Sequence, residues 1–327
     1  MKNYQNKLLL ALALLLLIFG LTACQNKPQQ EPGRSELTTD LLSKQPQTSV
    51  TAFFKAPDCP VLVPLVFGIN SSRDTIWVAL EKLLAGPPDA FVEAVIPAGI
   101  KMKDLYFADG TVHIKLTGDV PLQVEQVNLQ AFWSTVNMEL LEQDNTTAAL
   151  LLYYNDQPLL NEPYTAAAVN DFGGGQAGSY VYFADPQAMY LVPVCLPVNR
   201  ADFEQEADFF TALLQAWASP PPAESGVYST LATVEGLELL SVSWQADGQN
   251  AGLLTLDFSN ALAGIASSAQ ENLLLDSLLA TLAPYRQVQE VQLLAGGQPL
   301  DFLPSGLEID QPLPVKHSLD AFNRVGQ

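Results

Sequence analysis

The sequence has little of what catalysis or metal binding usually draws on. It holds 2 histidines and 3 cysteines in 327 residues. His113 sits in an alternating stretch that turns it toward solvent, and His317 sits in a proline-containing tail. Neither has a cysteine, histidine or carboxylate at a metal-ligand spacing, which argues against zinc or copper. No Gly-x-Ser-x-Gly, no Ser-x-x-Lys and no recognisable Cys–His frame is present. Gly173-Gly-Gly175 is not followed by Gly-Lys-Ser/Thr and has no strand-to-helix context, so it is not a phosphate loop. Positive charge is scarce too: 15 Lys and Arg stand against 35 Asp and Glu, a formal charge of -20. With no basic patch and no interleaved aromatics, such a surface repels phosphate backbones, and nucleic acid is not an expected partner. Finally, no apolar run reaches the roughly 20 residues of a membrane-spanning helix.

Carboxylates are the one catalytic resource in supply, and a pair could be assembled in space as in a glycosidase. With 35 of them, such pairs arise by accident. No active site, cofactor or metal is expected.

What is present begins at the N-terminus. Lys2 and Lys7 precede an apolar run of 14 residues from Leu8 to Leu21, the core of a signal peptide over residues 1–23. Leu21-Thr-Ala-Cys24 then has the lipobox pattern, in which a small residue precedes a cysteine that receives diacylglycerol and becomes the mature N-terminus. Cys24 is the expected lipid-attachment residue, since two acyl chains hold a protein on a bilayer where one does not. Residues 24–47 are polar, contain Pro28, Pro32 and Pro46, and read as a flexible tether.

The rest of the chain says the same thing twice. Ala79-Leu-Glu-Lys-Leu-Leu-Ala-Gly-Pro-Pro88 returns as Ala212-Leu-Leu-Gln-Ala-Trp-Ala-Ser-Pro-Pro221, a helix end followed by a proline stop. Val61-Leu-Val-Pro64 returns as Tyr190-Leu-Val-Pro193, and Gln157-Pro-Leu159 as Gln298-Pro-Leu300. The offsets of 129, 133 and 141 (64 to 193, 79 to 212, 157 to 298) drift as loop lengths do. That period is far too long for a solenoid and marks a duplicated domain. The expected layout is a first domain over 48–162, a Gly-rich linker over 163–178, a second domain over 179–303 and a Pro-containing tail over 304–327. The two copies share hardly any acidic position beyond the hairpin-turn aspartates Asp109 and Asp247, which belong to turn chemistry.

Within each copy the periodicities spell β-β-α-β-β-α-β-β. In the first, a capping box from Ser71 to Asp74 opens a helix with Ile76, Trp77, Leu80, Leu83 and Leu84 on one face, Trp77 as a core anchor. Leu105 and Phe107, Asp109-Gly110, then Val112, Ile114 and Leu116 make a hairpin that turns His113 and Lys115 outward. A second helix carries Leu129, Phe132, Trp133, Val136 and Leu140 inward. In the second copy Phe210, Leu213, Leu214 and Trp217 face the core, and Ser268-x-x-Glu271 caps the last helix. The expected fold is α+β, with two helices covering one face of a mostly antiparallel sheet in each copy. Cys59 and Cys195 fall at non-equivalent positions; a bridge between the domains is open outside the cell, although Cys195 reads better as a small core residue.

This series of elements resembles the GerMN domain family: Leu-Val-Pro after a first strand, a helix ending Leu-Leu-Ala-Gly-Pro, a Gly-turned hairpin, a helix and a Gln-Pro-Leu ribbon. The resemblance covers residues 48–302. Ala216-Trp-Ala-Ser-Pro220 departs from the family's Ala-Gly-Pro, and His113 and Lys115 stand where the family more often reads Val-Asp-Leu, a form kept by Thr255-Leu-Asp-Phe258. Two such domains behind a lipobox are similar to sporulation and germination lipoproteins of endospore-forming bacteria. The resemblance implies a non-enzymatic module like the ring-building folds of the sporulation secretion apparatus. The expectation is then a structural or interaction protein on the outer face of the cytoplasmic membrane. In a sporulating cell that face is the space between forespore and mother cell. Its partners would be proteins of an envelope complex. The alternative is an extracytoplasmic binding module for peptidoglycan or a small ligand.

Overall fold

Short runs of β-branched and aromatic residues, nearly free of charge, start each copy, and such runs pair when both faces are to be covered. β1 (Thr48–Lys55) and β2 (Leu62–Ile69) form an antiparallel ribbon with Phe53 opposite Pro64. The computed structural model describes residues 48–70, 74–142, 149–166, 168–172, 178–247, 251–318 and 322–325, all in the unit that runs from Thr48 onward. The signal peptide, Cys24 and the tether lie outside them.

α1 (Thr75–Ala85) starts at Asp74, whose Oδ1 accepts the Ile76 and Trp77 N–H groups at 2.9 and 3.3 Å. The expected cap at Ser71 falls outside the described residues; Asp74 does the capping. The helix stops at Gly86 (φ 84°), where an L side chain would be strained, and Pro87 cannot continue it. Ile76, Leu80, Leu83 and Leu84 are buried as the spacing predicts. Trp77 is not a core anchor: it is only partly buried, and its Nε1 donates to Glu81 at 2.8 Å, one turn on. The indole lies on the rim of the apolar stripe, where its N–H stays in reach of a polar partner. Trp133 likewise is only half-buried.

β3 (Lys101–Ala108) and β4 (Thr111–Thr117) turn at Asp109 and Gly110, both left-handed (φ 50° and 71°), as a two-residue hairpin of this twist requires. α2 (Gln126–Glu142) crosses over, so that β5 (Ala149–Tyr154) lies parallel to β4, and β6 (Gln157–Pro158) folds back antiparallel. Val112, Ile114, Leu116, Leu150 and Leu152 line the buried face. The expected antiparallel character holds for all but this one pair, because a crossover helix returns the chain in the same direction. α1 and α2 pack on each other and on β1.

The second copy repeats the order. It has β7 (Ser179–Ala184), β8 (Leu191–Leu196), α3 (Glu206–Ala218), β9 (Leu239–Ala246) and β10 (Gly252–Phe258). Then come α4 (Ser268–Leu282), β11 (Val288–Ala295), β12 (Gln298–Pro299) and β13 (Leu313–Pro314). The sheets are β3-β4-β5-β6 and β12-β11-β10-β9, with β13 also on β11 and β10–β11 as the parallel pair. Smaller features repeat too. Lys55 bridges Glu93 as Ala184 bridges Tyr228, and Leu150 pairs Tyr164 as Val291 pairs Leu313. α4 is capped by Ser267, which accepts the Gln270 N–H at 3.3 Å, one residue before the expected Ser268. Glu271 instead reaches the tail, accepting the Ser305 N–H at 2.7 Å. Leu303, Ile309 and Val315 bury themselves, so this tail wraps the second sheet.

Helices guard the outer edges of the two ribbons. Glu139 and Thr135 accept the Thr51 and Phe53 amides at 2.8 and 3.2 Å. Thr281 accepts the Tyr182 amide at 3.0 Å, while Ser277 donates to the Tyr182 carbonyl and takes the Trp217 indole N–H. Side chains thus satisfy backbone groups that a ladder would otherwise leave bare.

Candidate functional site

The two copies meet where their Leu-Val-Pro strands, β2 and β8, lie side by side. A proline has no N–H, so Pro64 and Pro193 cannot donate across this seam. Two asparagines take over. Asn170 Oδ1 accepts the Leu62 N–H at 2.7 Å, its Nδ2 donates to the carbonyls of Leu62 and Pro193 at 2.7 and 2.8 Å, and its own carbonyl accepts the Cys195 N–H at 3.1 Å. Asn323 mirrors each bond: Oδ1 from Leu191 at 2.8 Å, Nδ2 to Leu191 and Pro64 at 2.7 and 2.8 Å, carbonyl from Val66 at 3.0 Å. Leu62, Pro64 and Val66 map onto Leu191, Pro193 and Cys195 by the repeat's own offset of 129. Each copy therefore ends in a strap that crosses to the other copy, Asp171 bridging Cys195 and Arg324 bridging Val66. Both asparagines are left-handed (φ 48° and 52°), a conformation Asn tolerates better than most residues.

Sequence reasoning placed Asn170 in a linker and Asn323 in a tail, and it missed both. The signal was there: Ala168-Val-Asn-Asp-Phe-Gly173 and Ala321-Phe-Asn-Arg-Val-Gly326 are a further repeat beyond Gln-Pro-Leu. Other residues close the seam. Tyr190 donates its hydroxyl to Asp89, and Cys59 Sγ lies 3.6 Å from the Gly226 carbonyl. Gly226 has φ 73°, and a Cβ there would come within 2.5 Å of that sulfur. Cys59 and Cys195 are buried free thiols, not a bridge between domains, and burial raises the pKa of both. Burial also pushes the Tyr180 hydroxyl up to about 12; it accepts the Val169 N–H beside the Asn170 strap.

The first sheet's outer face carries an aromatic ladder. His113 stacks on Tyr106 at 4.5 Å and 8°, and on Tyr153 at 5.9 Å and 17°, with Nδ1 3.2 Å from the Tyr153 hydroxyl. Lys115 Nζ sits 5.0 Å from the Tyr106 ring centre and 3.6 Å from Asp104. Lys103 spans the sheet to Asp156 at 2.6 Å, which holds that carboxyl below its ordinary range. The outward turn expected of His113 and Lys115 is therefore what the register produces.

His317 Nδ1 lies 3.1 Å from the Ala283 carbonyl. No group of three His, Cys, Asp or Glu that could hold a metal occurs among the described residues. A cleft of about 310 Å³ opens between α4, the β7–β8 turn and the second strap. Its polar lining includes Tyr190, Asn272, Asp276, Asn323 and Arg324, and burial raises the Asp276 pKa. No helix among the described residues is long and apolar enough to cross a membrane.

Comparison with known proteins gives these arrangements a place. The family model described as "Germane: Sporulation and spore germination" matches residues 180–301. Among solved structures, the chain is similar to the tandem GerMN domains of the sporulation protein GerM from Bacillus subtilis. The TM-score is 0.50 and the identity 21%, over 77% of this chain and 92% of that one. The first GerMN domain of the same protein also matches, with TM-score 0.31 and 19% identity over 44% of this chain and 98% of that one. Comparison with curated proteins returns no match. The tandem match rests on shape at so low an identity, and it agrees with the internal repeat, while the family model covers the second copy directly. Residues 180–301, the second copy, match the Germane model, and the chain as a whole is similar in fold to tandem GerMN domains.

Proposed function

We propose that the chain is a non-enzymatic structural protein of the cell or spore envelope, anchored by diacylglycerol on Cys24 and supporting assembly of a sporulation complex. The observation that carries this reading is the seam. Four hydrogen bonds from each of two asparagines make one body of two domains. A scaffold needs fixed spacing between its faces, whereas an enzyme that closes on substrate between two domains needs a hinge there. A Cys24→Ala chain is expected in the soluble fraction instead of with the membrane. The role itself is tested by deleting the gene in a spore-forming host: normal engulfment, cortex and germination would remove it.

A second reading, binding of peptidoglycan or a small ligand at the cell surface, draws on the ladder of Tyr106, His113 and Tyr153. Stacked aromatics beside lysine are a surface that sugars and carboxylates recognise. The mature chain would then co-sediment with purified peptidoglycan, and Tyr106→Ala with His113→Ala would abolish retention. No retention of the unaltered chain ends this reading.

A further inference from the structure

Among the described residues, each sheet leaves one strand unpaired on its outer side, β3 in the first copy and β9 in the second. An edge strand presents amides and carbonyls ready for another strand, and chains guard such edges with charge, bulges or side-chain caps. β3 has all three. Lys101 and Lys103 stand on it, its register slips between Met102 and Asp104, and the Asp104 carboxylate takes the Leu105 N–H at 3.0 Å.

β9 is bare by comparison. It reads Leu-Leu-Ser-Val-Ser-Trp-Gln-Ala, with neither charge nor proline. Ser241, Ser243, Gln245 and Ala246 are exposed, and Leu240 is 53% exposed. Its one irregularity lies at Leu240, so residues 241–246 keep unbroken register on β10. Among the described residues, no backbone hydrogen bond joins β9 to anything but β10. Trp244 anchors the strand from inside, its ring 5.0 Å from that of Phe210.

Charge says what fits. Glu238 and Asp247 stand just beyond the two ends of the neutral strand. A second copy pairing antiparallel about the strand's centre would set the Glu238 end of one against the Asp247 end of the other, and like charges across a strand pair are destabilising. The overall charge of -20 adds to that repulsion. An extended guest with a neutral middle and a basic residue at each end meets both acids favourably.

We infer that β9 is a strand-addition site for an extended protein segment, uncharged over about eight residues and basic at both ends. Main-chain bonds supply the affinity and the terminal charges the selectivity. The inference rests on the reading of the chain as an interaction protein, and it names the edge and the chemistry of the guest.

The test uses the mature chain from residue 24 and a ten-residue peptide of alternating threonine and valine with a lysine at each end. Amide hydrogen exchange is expected to slow over residues 241–246 and stay unchanged over β3, with Trp244 fluorescence shifting in step. Ser241→Lys with Ser243→Lys is expected to weaken binding at least tenfold at unchanged melting temperature, and glutamates at the peptide ends should do the same. The site is overturned by no protection at millimolar peptide, or by equal protection from the peptide N-methylated at alternate residues. Protection that grows with chain concentration alone would make a second copy the guest and overturn the proposed chemistry. In a spore-forming host, a defect on deletion with none in the double lysine variant would remove the β9 site and leave the structural role standing.

Discussion

The two copies share a scaffold and differ in what they show to solvent. Register places Tyr106, His113, Lys115 and Tyr153 on the first outer face; the same positions on the second hold Ser243, Thr255, Asp257 and Leu294. Inside, the pattern is kept: Val112 and Ile114 answer Leu254 and Leu256, and all four are buried. The lesson is physical. A one-residue change of face would bury polar groups without partners, so the buried alternation cannot drift, whereas outward positions carry no such penalty. The edges diverge in the same way: both have a break in register, but β3 also carries Lys101, Lys103 and Asp104 where β9 is uncharged.

The comparison can be broken first in the helices. Trp77 and Phe210 are equivalent by the repeat offset of 133, yet Phe210 is fully buried and Trp77 only partly. Phe210→Ala is expected to cost about 4 kcal/mol and Trp77→Ala less than half of that, read from urea unfolding. Equal losses would mean that the two helices seat alike after all.

The seam comes next. Asn170→Ala leaves the Leu62 N–H and the Leu62 and Pro193 carbonyls without these partners, and puts alanine at a left-handed φ. A loss of about 3 kcal/mol is expected. Asn323→Ala should cost a similar amount, since its bonds are the mirror set. In the double variant, calorimetry should resolve two transitions where the unaltered chain gives one; a single transition would mean that the copies are held by packing alone.

Gly226→Ala brings a methyl into contact with Cys59 at a positive φ and is expected to cost about 2 kcal/mol, with Cys59→Ala restoring part of it. Thermal melting of the single and double variants reads the coupling.

The smallest effect concerns pH. Arg200 bonds Glu206 at 2.6 Å, and this bond is the main reason that the Glu206 pKa lies below its ordinary 4.5. A folded value below the unfolded one stabilises above pH 4.5 and loses that contribution as the pH falls through the folded value. Both side chains are more than a third exposed, so Glu206→Gln should cost well under about 1 kcal/mol at pH 7, and progressively less as the pH falls through the folded value.

Much of this was legible in the chain. Alternation gave both hairpins, helical spacing gave most of the buried stripe of each helix, and the Gln-Pro-Leu ribbons pair on β5 and β11, although each copy runs on beyond them into its asparagine strap. Helix starts were less readable: Ser268 gave way to Ser267, because a cap depends on backbone angles that several neighbouring polar residues can supply. Trp77 failed for a related reason, since a residue at the rim of an apolar stripe follows the same period as one at its centre.

The sequence by itself determined the duplication, the order of elements and which face of each is buried, because these follow from periods of 2 and 3.6 residues that a short window contains. Only the tertiary structure decided the seam. Asn170 acts on Leu62 across 108 residues and Asn323 on Pro64 across 259, and a polar side chain that completes another segment's backbone leaves no period in its own. The ladder of Tyr106, His113 and Tyr153 is likewise a product of register between strands, fixed where β3, β4 and β5 come to rest side by side.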